Sequence, residues 1–207
     1  TLLGVVPHAR AMLADQHTQR GEQKEVRWAD GSFAELDAST RLNVDWSAAE
    51  RRLELGDGAA VFHVQPDSAR PFVVRAGSLS VTAVGTVFEV RYLAEGVSVT
   101  CSEGVVAVRD NAGATRLLKA GEQLVYGEHG LAATQRIDSE QAFAWRTGSL
   151  VFRNRPLQEL VHELNRYHRG RILISRDEVA RMPVSGVFHL DRSEEALQHI
   201  AQTLGLS

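Results

Sequence analysis

Residues 83–91 read AVGTVFEVR, and in this stretch two runs of strand-forming residues meet at the pair Gly85-Thr86. Two residues leave no room for an ordinary loop. The chain must therefore bend sharply there or let another backbone approach, and glycine does either without a steric penalty. The Thr86 hydroxyl is expected to bond nearby backbone. Because no base or nucleophile lies beside Gly85, we interpret the stretch as a structural corner and not as a catalytic one.

Short strands and turns continue on both sides of this corner. Gly, Asn and Asp turn signals separate partly alternating apolar runs roughly every 8–12 residues. Such spacing predicts an all-β domain, either sandwich-like or solenoid-like, although no fixed sequence period is present. The predicted strands are residues 25–28, 33–36, 42–46, 51–55, 60–64, 72–75, 79–83, 87–92, 97–101, 105–109, 115–118 and 123–126.

The pattern changes near Ser139, where strand and helix signals begin to alternate. Residues 139–148 indicate a short helical connector, and 150–153 a strand. Pro156 suits the first position of a helix capped by Asn154 or Arg155. Its apolar stripe would be Leu157, Leu160, Val161, Leu164 and Tyr167, with Gly170 as its end. Strands at 172–175 and 184–189 and a second helix, capped by Asp191 or Ser193, complete the prediction.

These patterns together predict a mainly β fold followed by a small α+β module of the order βαβ-βα. We assign residues 1–20 to a juxtamembrane or linker segment and 21–138 to the all-β domain. Residues 139–148 form the connector and 149–207 the α+β module. Residues 1–6, TLLGVV, fit the last turn of a membrane helix and a trimmed linker equally well. The missing initial Met indicates a piece of a longer protein.

Composition narrows the classes of function. A net charge of −3 over 207 residues argues against an electrostatic nucleic-acid binder. The single cysteine, Cys101, excludes a disulfide within the chain, and its place in an alternating apolar run predicts a buried, inert thiol. No stretch approaches the roughly 20 apolar residues that span a bilayer.

Motifs for catalysis or metal binding are not found in the sequence. No two of the eight histidines have the spacing that would bring both onto one ion. His63 alone does not complete the ligand set of a cupin-type barrel, and no Gly-x-Ser-x-Gly elbow occurs. Glu89 and Glu103 are expected to lie on solvated strand faces. We therefore expect no catalytic residue, metal or cofactor.

Taken in order, several stretches resemble the periplasmic domain of the FecR family, and the tail is similar to the STN signalling module of secretins and TonB-dependent transducers. The resemblance covers nearly the whole chain, and the ordered set is far more specific than any one piece. The stretches are 18–23 (TQRGEQ), 26–32 (VRWADGS), 36–40 (LDAST), 59–64 (AAVFHV), 70–74 (RPFVV), 83–90 (AVGTVFEV), 106–108 (VAV), 120–123 (AGEQ), 144–152 (AWRTGSLVF), 156–157 (PL) and 163–167 (ELNRY).

The resemblance implies signal transduction by a single-span inner-membrane regulator of an extracytoplasmic-function sigma factor. Its periplasmic part would bind the N-terminal signalling domain of a TonB-dependent outer-membrane transducer that carries an iron chelate (siderophore). The cytoplasmic part that binds the sigma factor is absent from this sequence. The last strand of an STN-like unit is also missing.

A sheet that lacks its last strand would leave an edge to which a partner strand can add. The candidate partner-binding residues are Ile172, Leu173, Ile174, Ser175, Val187, Phe188 and His189. Two other classes stay open at this point. One is a β-sandwich or barrel enzyme or glycan-binding module of the cell envelope, and the other is a passive envelope scaffold.

Overall fold

The computed structural model describes residues 15–94, 96–127, 130–168, 170–192, 195, 198 and 200–202 of the chain. Most of these residues belong to β-strands, which confirms the mainly β prediction. Most of the predicted segment 1–20 lies outside the described residues. Residues 195, 198 and 200–202 are helical, in agreement with the predicted second helix, whose other residues are also outside this range.

Fourteen of the described strands form one large sheet. They are β1 (Gln16–His17), β2 (Lys24–Arg27), β3 (Phe33–Leu36), β4 (Arg41–Trp46), β5 (Arg51–His63), β6 (Phe72–Ala76), β7 (Leu79–Ala83), β8 (Val87–Leu93), β9 (Gly96–Glu103), β10 (Val105–Asp110), β11 (Thr115–Lys119), β12 (Glu122–Gly127), β13 (Gly130–Leu131) and β14 (Gln135–Arg136). All pairings are antiparallel except β5 with β6.

The sheet curls into two layers that share the long strand β5. The first half of β5 pairs with β4 and β6, and the second half with β3 and β8. We predicted two strands here, with a turn at residues 56–58, and this was wrong. A bulge opposite Arg41 and Leu42 absorbs one residue, so the strand continues while its partners change. The main apolar core lies between the layers, around Phe62, Phe72 and Phe88.

The corner at Gly85 connects the two layers. β7 ends at Ala83 in one layer, and β8 begins at Val87 in the other, with a bend between them. This confirms the structural interpretation of AVGTVFEVR. The role expected for Thr86 was wrong, because its buried hydroxyl has no hydrogen-bond partner among the described residues. Instead its carbonyl accepts the Val64 amide at 2.9 Å.

Gly85 provides a test of this corner. Its φ is +70°, and a Cβ would lie 2.8 Å from Cγ of Pro66. We expect Gly85→Ala to lower the free energy of unfolding by about 2–3 kcal/mol, from left-handed strain plus overpacking. Gly121→Ala is the matched control, because φ there is +80° but nothing lies within 4 Å of the added Cβ. It should cost only about 1 kcal/mol. If urea unfolding shows equal losses of unfolding free energy for the two variants, the expected clash with Pro66 is contradicted.

A smaller C-terminal unit, which we define as the elements from Ser139 onward, packs on the outer face of the large sheet. Its elements are α1 (Ser139–Ala142), a 3-10 turn (Ala144–Thr147), β15 (Ser149–Pro156), α2 (Leu157–Leu164), α3 (Asp177–Ala180), β16 (Pro183–His189) and a second 3-10 turn (Leu190–Arg192). β15 and β16 form a separate antiparallel pair. Four predicted stripe residues of α2 are buried with Trp145 in a second core, which includes Val61 of β5.

This unit differs from the prediction at several points, since α2 ends at Leu164 and not near Gly170, and helix α3 was not predicted. Pro156 is the cap of α2 and still pairs with β16, so the helix begins one residue later than expected. Residues 172–175 do not form a strand. The Asn165 side chain accepts the Ile172 amide at 2.8 Å and donates to the Ile172 carbonyl at 2.9 Å. The amide group therefore takes the place of a neighbouring strand.

Candidate functional site

The predicted partner-binding residues fall into two segments that share no backbone ladder. In the first segment, Ile172 and Ile174 pack against the second core, while Leu173 and Ser175 are exposed. Since this segment is not a strand, its assignment as a strand edge was wrong. Leu173 is 74% exposed, but it does not lie on a sheet edge.

The second segment, Val187–Phe188–His189, lies on β16 as predicted. Phe188 is half-buried and contacts Phe152 edge-on, with ring centroids 6.2 Å apart. Val187 is 59% exposed, and His189 is also exposed. The ring of His189 lies 3.2 Å from the Ser149 hydroxyl. This part of β16 therefore combines an anchored aromatic ring with exposed neighbours.

The hydrogen-bond pattern shows which main-chain groups of β16 are available. The Leu190 amide donates to the Gly148 carbonyl. Two positions along the same ladder, Phe188 is the partner of Leu150. Antiparallel ladders alternate between hydrogen-bonded and non-hydrogen-bonded pairs. The main-chain groups of Phe188 therefore face β15, whereas those of Val187 and His189 face away. Within the described residues, no hydrogen bond to the main chain of Val187 or His189 is found.

Outer strands of the large sheet, by contrast, have side chains that cap their free main-chain groups. On β11 the Lys119 amide donates to Glu122 Oε2 at 2.8 Å, and the Thr115 carbonyl accepts from Arg116. On β4 the Val44 amide donates to Asp15 Oδ2 at 2.9 Å. Charged or capping side chains are a usual way to keep edge strands from pairing with other chains. The β16 edge lacks such a cap in the described part of the chain.

A second feature lies where the C-terminal unit meets the large sheet. Five charged side chains, which we call the charged cluster, are largely buried there: Asp37, Glu89, Arg91, Glu163 and Arg166. Arg91 bonds Glu163 at 2.5 Å and approaches Glu89 at 3.4 Å. Arg166 bonds Asp37 at 2.8 Å and Glu163 at 3.1 Å. The cluster therefore links the strand β8 and the loop after β3 to helix α2 and to Arg166, two residues beyond the end of this helix.

Neutral groups reinforce the cluster. The Trp145 indole donates to Glu89 Oε1 at 2.7 Å, and the Tyr167 hydroxyl donates to Asp37. The Arg166 guanidinium also donates to the Ala38 carbonyl at 2.6 Å. Nearby, Arg146 bonds Glu35 at 2.5 Å. Polar, directional contacts thus join the two units, and Val61 and Val87 add apolar contacts.

Burial and charge shift the protonation of the cluster in opposite directions. Burial raises the pKa of Glu89, and the guanidinium of Arg91 and the indole of Trp145 offset only part of this effect. Burial also acts on Glu163, but Arg91 and Arg166 outweigh it, and the pKa of Glu163 is lowered. Two carboxyl groups in one cluster therefore differ in their hold on a proton.

The sequence did not indicate this cluster, and it predicted that Glu89 would be solvated. That prediction was wrong, because the side chain is 1% exposed beneath the C-terminal unit. Glu89 and Val87 lie on the outer strand face, which would normally be wet. The C-terminal unit covers it, and strand periodicity cannot show such a cover.

A cleft of about 610 Å³ opens beside the cluster, between the outer face of the large sheet and β15. Its walls include Gln123 and Val125 of β12 and Phe152 of β15. The acidic groups at its floor, Glu89 and Glu163, are bonded within the cluster and not left as free titratable groups. The described residues contain no group of three or more His, Cys, Asp or Glu side chains arranged to hold a metal. Nor do they include a helix long and apolar enough to cross a membrane.

Comparison with known proteins gives two findings. Residues 14–107 match the FecR protein family. Two crystal structures of a candidate anti-sigma factor from Parabacteroides distasonis, at 1.65 and 2.50 Å resolution, share this fold. Each is 25% identical to the chain in sequence, and the TM-scores are 0.83 and 0.82. The aligned region comprises 92% of this chain and 91% of each crystallised chain. No curated protein shows significant sequence similarity to the chain.

Three of the stretches that carried the resemblance contribute charged side chains to the interface between the two units. Asp37 belongs to LDAST, Glu89 to AVGTVFEV, and the pair Glu163 and Arg166 to ELNRY. Residues of the TQRGEQ stretch take part as well, because the Gly21 amide donates to the Arg166 carbonyl at 2.9 Å. The sequence therefore contained the motifs that form the cluster. Nothing in the sequence showed that these separate motifs lie next to each other.

Proposed function

We propose that this chain is the sensor region of a FecR-type sigma-factor regulator and that it binds its partner without catalysis. The observation that carries this proposal is the pair of similarities above. The matched family segment spans 14–107, and the similarity to the anti-sigma factor structures extends over 92% of the chain. The extended fold similarity includes the C-terminal unit.

The partner in this proposal is the N-terminal signalling domain of a TonB-dependent outer-membrane transducer. Binding of this domain would report a siderophore signal from the outer membrane. The chain would lie in the periplasm and be joined to a membrane helix. The sigma factor would be bound by a cytoplasmic part that is not in this sequence. The geometry supports a protein partner because the chain presents an uncapped strand edge on β16.

Strand addition at this edge gives the proposal a structural form. Main-chain bonds to Val187 and His189 would supply affinity, and the exposed Val187 side chain would contribute to specificity. The segment 172–175, which we expected to share this role, is not part of the proposed edge. The exposed Leu173 would act only if the partner extends beyond the added strand.

The test is titration calorimetry of the chain against the signalling domain of a co-encoded transducer. Saturable one-to-one binding is expected for the wild type. Val187→Pro removes an amide that faces away from β15, and we expect about tenfold weaker binding or more, since 1.4 kcal/mol corresponds to a factor of ten. Circular dichroism should show that the variant remains folded.

Leu117→Pro is the matched control. By the same alternation, the Leu117 amide faces away from β10 on the outer side of β11, so its loss leaves the β10–β11 ladder intact. This variant should bind like the wild type. Equal binding by Val187→Pro and the wild type would overturn the proposal that the partner strand adds to β16. Absence of binding by the folded wild-type chain would overturn the proposal that the transducer domain is the partner.

A further inference from the structure

The charged cluster does not balance when every member is ionised. It holds three carboxyl groups, on Asp37, Glu89 and Glu163, against two guanidinium groups, on Arg91 and Arg166. These side chains are between 0% and 16% exposed, so solvent compensates little of the difference. An unpaired buried charge is costly, and a buried group usually avoids this cost by taking or losing a proton. One proton on one carboxyl group makes the cluster neutral.

The contacts identify Glu89 as the carboxyl group that holds this proton. Asp37 and Glu163 each bond a guanidinium at 2.8 Å or less, whereas Arg91 approaches Glu89 only at 3.4 Å. The Trp145 indole is the close donor to Glu89, and it can donate to a neutral carboxyl group as well as to a carboxylate. The raised pKa of Glu89, caused mainly by burial, agrees with this assignment.

Strand β8, the loop after β3, helix α2 and the first 3-10 turn contribute the groups that affect the proton on Glu89, whereas the flanking strands β5 and β9 place Val61 and Thr100 opposite it. Arg91 on the same strand favours the ionised form. Asp37 from the loop after β3 and Glu163 from α2 disfavour it. The remaining neighbours in the network are Arg166, Tyr167 and Trp145. The pKa values of Arg91, Arg166 and Tyr167 are raised and that of Glu163 is lowered, so none of these four loses its native charge state near neutral pH.

We propose that a proton on Glu89 holds the C-terminal unit against the large sheet, and that loss of this proton releases the unit. Release would place an ionised Glu89 in water and leave Arg91 and Glu163 free to separate. This inference does not depend on the proposed partner, because it concerns only contacts within the chain. It makes the interface between the two units a pH-sensitive latch.

The sign follows from the direction of the shift. Glu89 binds its proton more tightly in the docked state than in the released state, where the ordinary value of 4.5 applies. Docking is therefore fully favoured below pH 4.5 and loses this contribution as the pH rises through the raised pKa. Alkaline conditions should open the interface, and acidic conditions should keep it closed.

Pulsed EPR distances between the two units test the latch. Spin labels on cysteines introduced at the exposed positions Thr115 and Gln158 report their separation. The native Cys101 is buried, and burial raises the pKa of its thiol to about 11, so it should not take a label. We expect one narrow distance at acidic pH and a longer, broader distribution at alkaline pH, as Glu89 ionises.

Two variants determine whether Glu89 is responsible. Glu89→Gln keeps an acceptor for Trp145 but cannot ionise, so its distance should stay narrow over the whole range. Glu103→Gln changes an exposed carboxyl group and should behave like the wild type. The His63–Glu35 contact, which lies within the large sheet between β5 and β3, is unchanged in both. A pH-independent wild type, or an opening that persists in Glu89→Gln, would overturn the proposal.

Trp145→Phe provides a second route if Glu89→Gln does not fold. Loss of the indole N–H removes a donor that favours the ionised form of Glu89. The docked state with an ionised Glu89 is then less stable, so docking is lost earlier as the pH rises and the opening midpoint should move to lower pH in this variant. A midpoint that stays in place or moves to higher pH would contradict the assignment of the transition to Glu89.

Discussion

Replacing Asp37 with alanine is expected to lower the free energy of unfolding by about 3–5 kcal/mol, as is typical when one partner of a buried ion pair is removed. The Asp37 side chain is fully buried and accepts hydrogen bonds from Arg166, Tyr167 and the Ala38 amide. Alanine leaves all three donors without this acceptor. The guanidinium of Arg166 then lies in a cluster that has lost an anion while it remains shielded from water.

Two further variants show whether the loss comes from burial of the pair. Asp37→Asn keeps one oxygen acceptor but loses the charge, so its cost should be intermediate. Asp45→Ala removes an ion-pair partner of Arg52. The Asp45 side chain is 78% exposed, and its Oδ2 lies 3.7 Å from the Arg52 guanidinium, so the change should cost less than about 1 kcal/mol. Urea unfolding followed by circular dichroism provides the measurement. Similar losses for Asp37→Ala and Asp45→Ala would show that the charged cluster does not stabilise the fold.

Truncation of Trp145 should be comparably severe. Its side chain is 2% exposed and packs in the second core with residues of β15 and α2. We expect Trp145→Ala to cost about 3–5 kcal/mol, because loss of a buried aromatic ring removes packing and leaves a cavity. The same change leaves Glu89 without its closest donor. The C-terminal unit should therefore detach first.

Hydrogen exchange locates this effect. Amides of β15 and α2 should lose protection in Trp145→Ala, whereas those of β5 and β8 should keep most of theirs. Trp145→Phe retains a ring but not the N–H, and it should cost only about 1–2 kcal/mol, the usual range for a lost hydrogen bond to a buried group. Equal costs for the two variants would mean that the ring adds nothing beyond its N–H. Uniform loss of protection across the chain would mean that the two units unfold together.

Local sequence patterns predicted the strands of the large sheet well. Their periodicity and turn residues depend on neighbours within about ten residues. The corner at Gly85 was predictable for the same reason, because a left-handed residue between two strands is a local requirement. Local patterns misled at Gly56-Asp57-Gly58, where a bulge in a continuous strand has the same composition as a turn.

The candidate edge was predicted only in part. The strand propensity of residues 184–189 agrees with β16, and Val187 is exposed there. Residues 172–175 have similar propensity but not strand structure, since the Asn165 amide satisfies the Ile172 backbone. A side chain from seven residues earlier decided this outcome, and propensity scales do not include such a contact.

The sequence by itself determined most strands of the large sheet, most of the turns between them and which motifs resemble the FecR family. These properties follow from backbone preferences and from the alternation of apolar residues. Only the tertiary structure decided that Glu89 and Arg91 are buried beside Glu163, 72 residues beyond Arg91. The physical reason is that burial of a polar strand face depends on what covers it. Here the cover is a second unit, whose own charges make that burial tolerable.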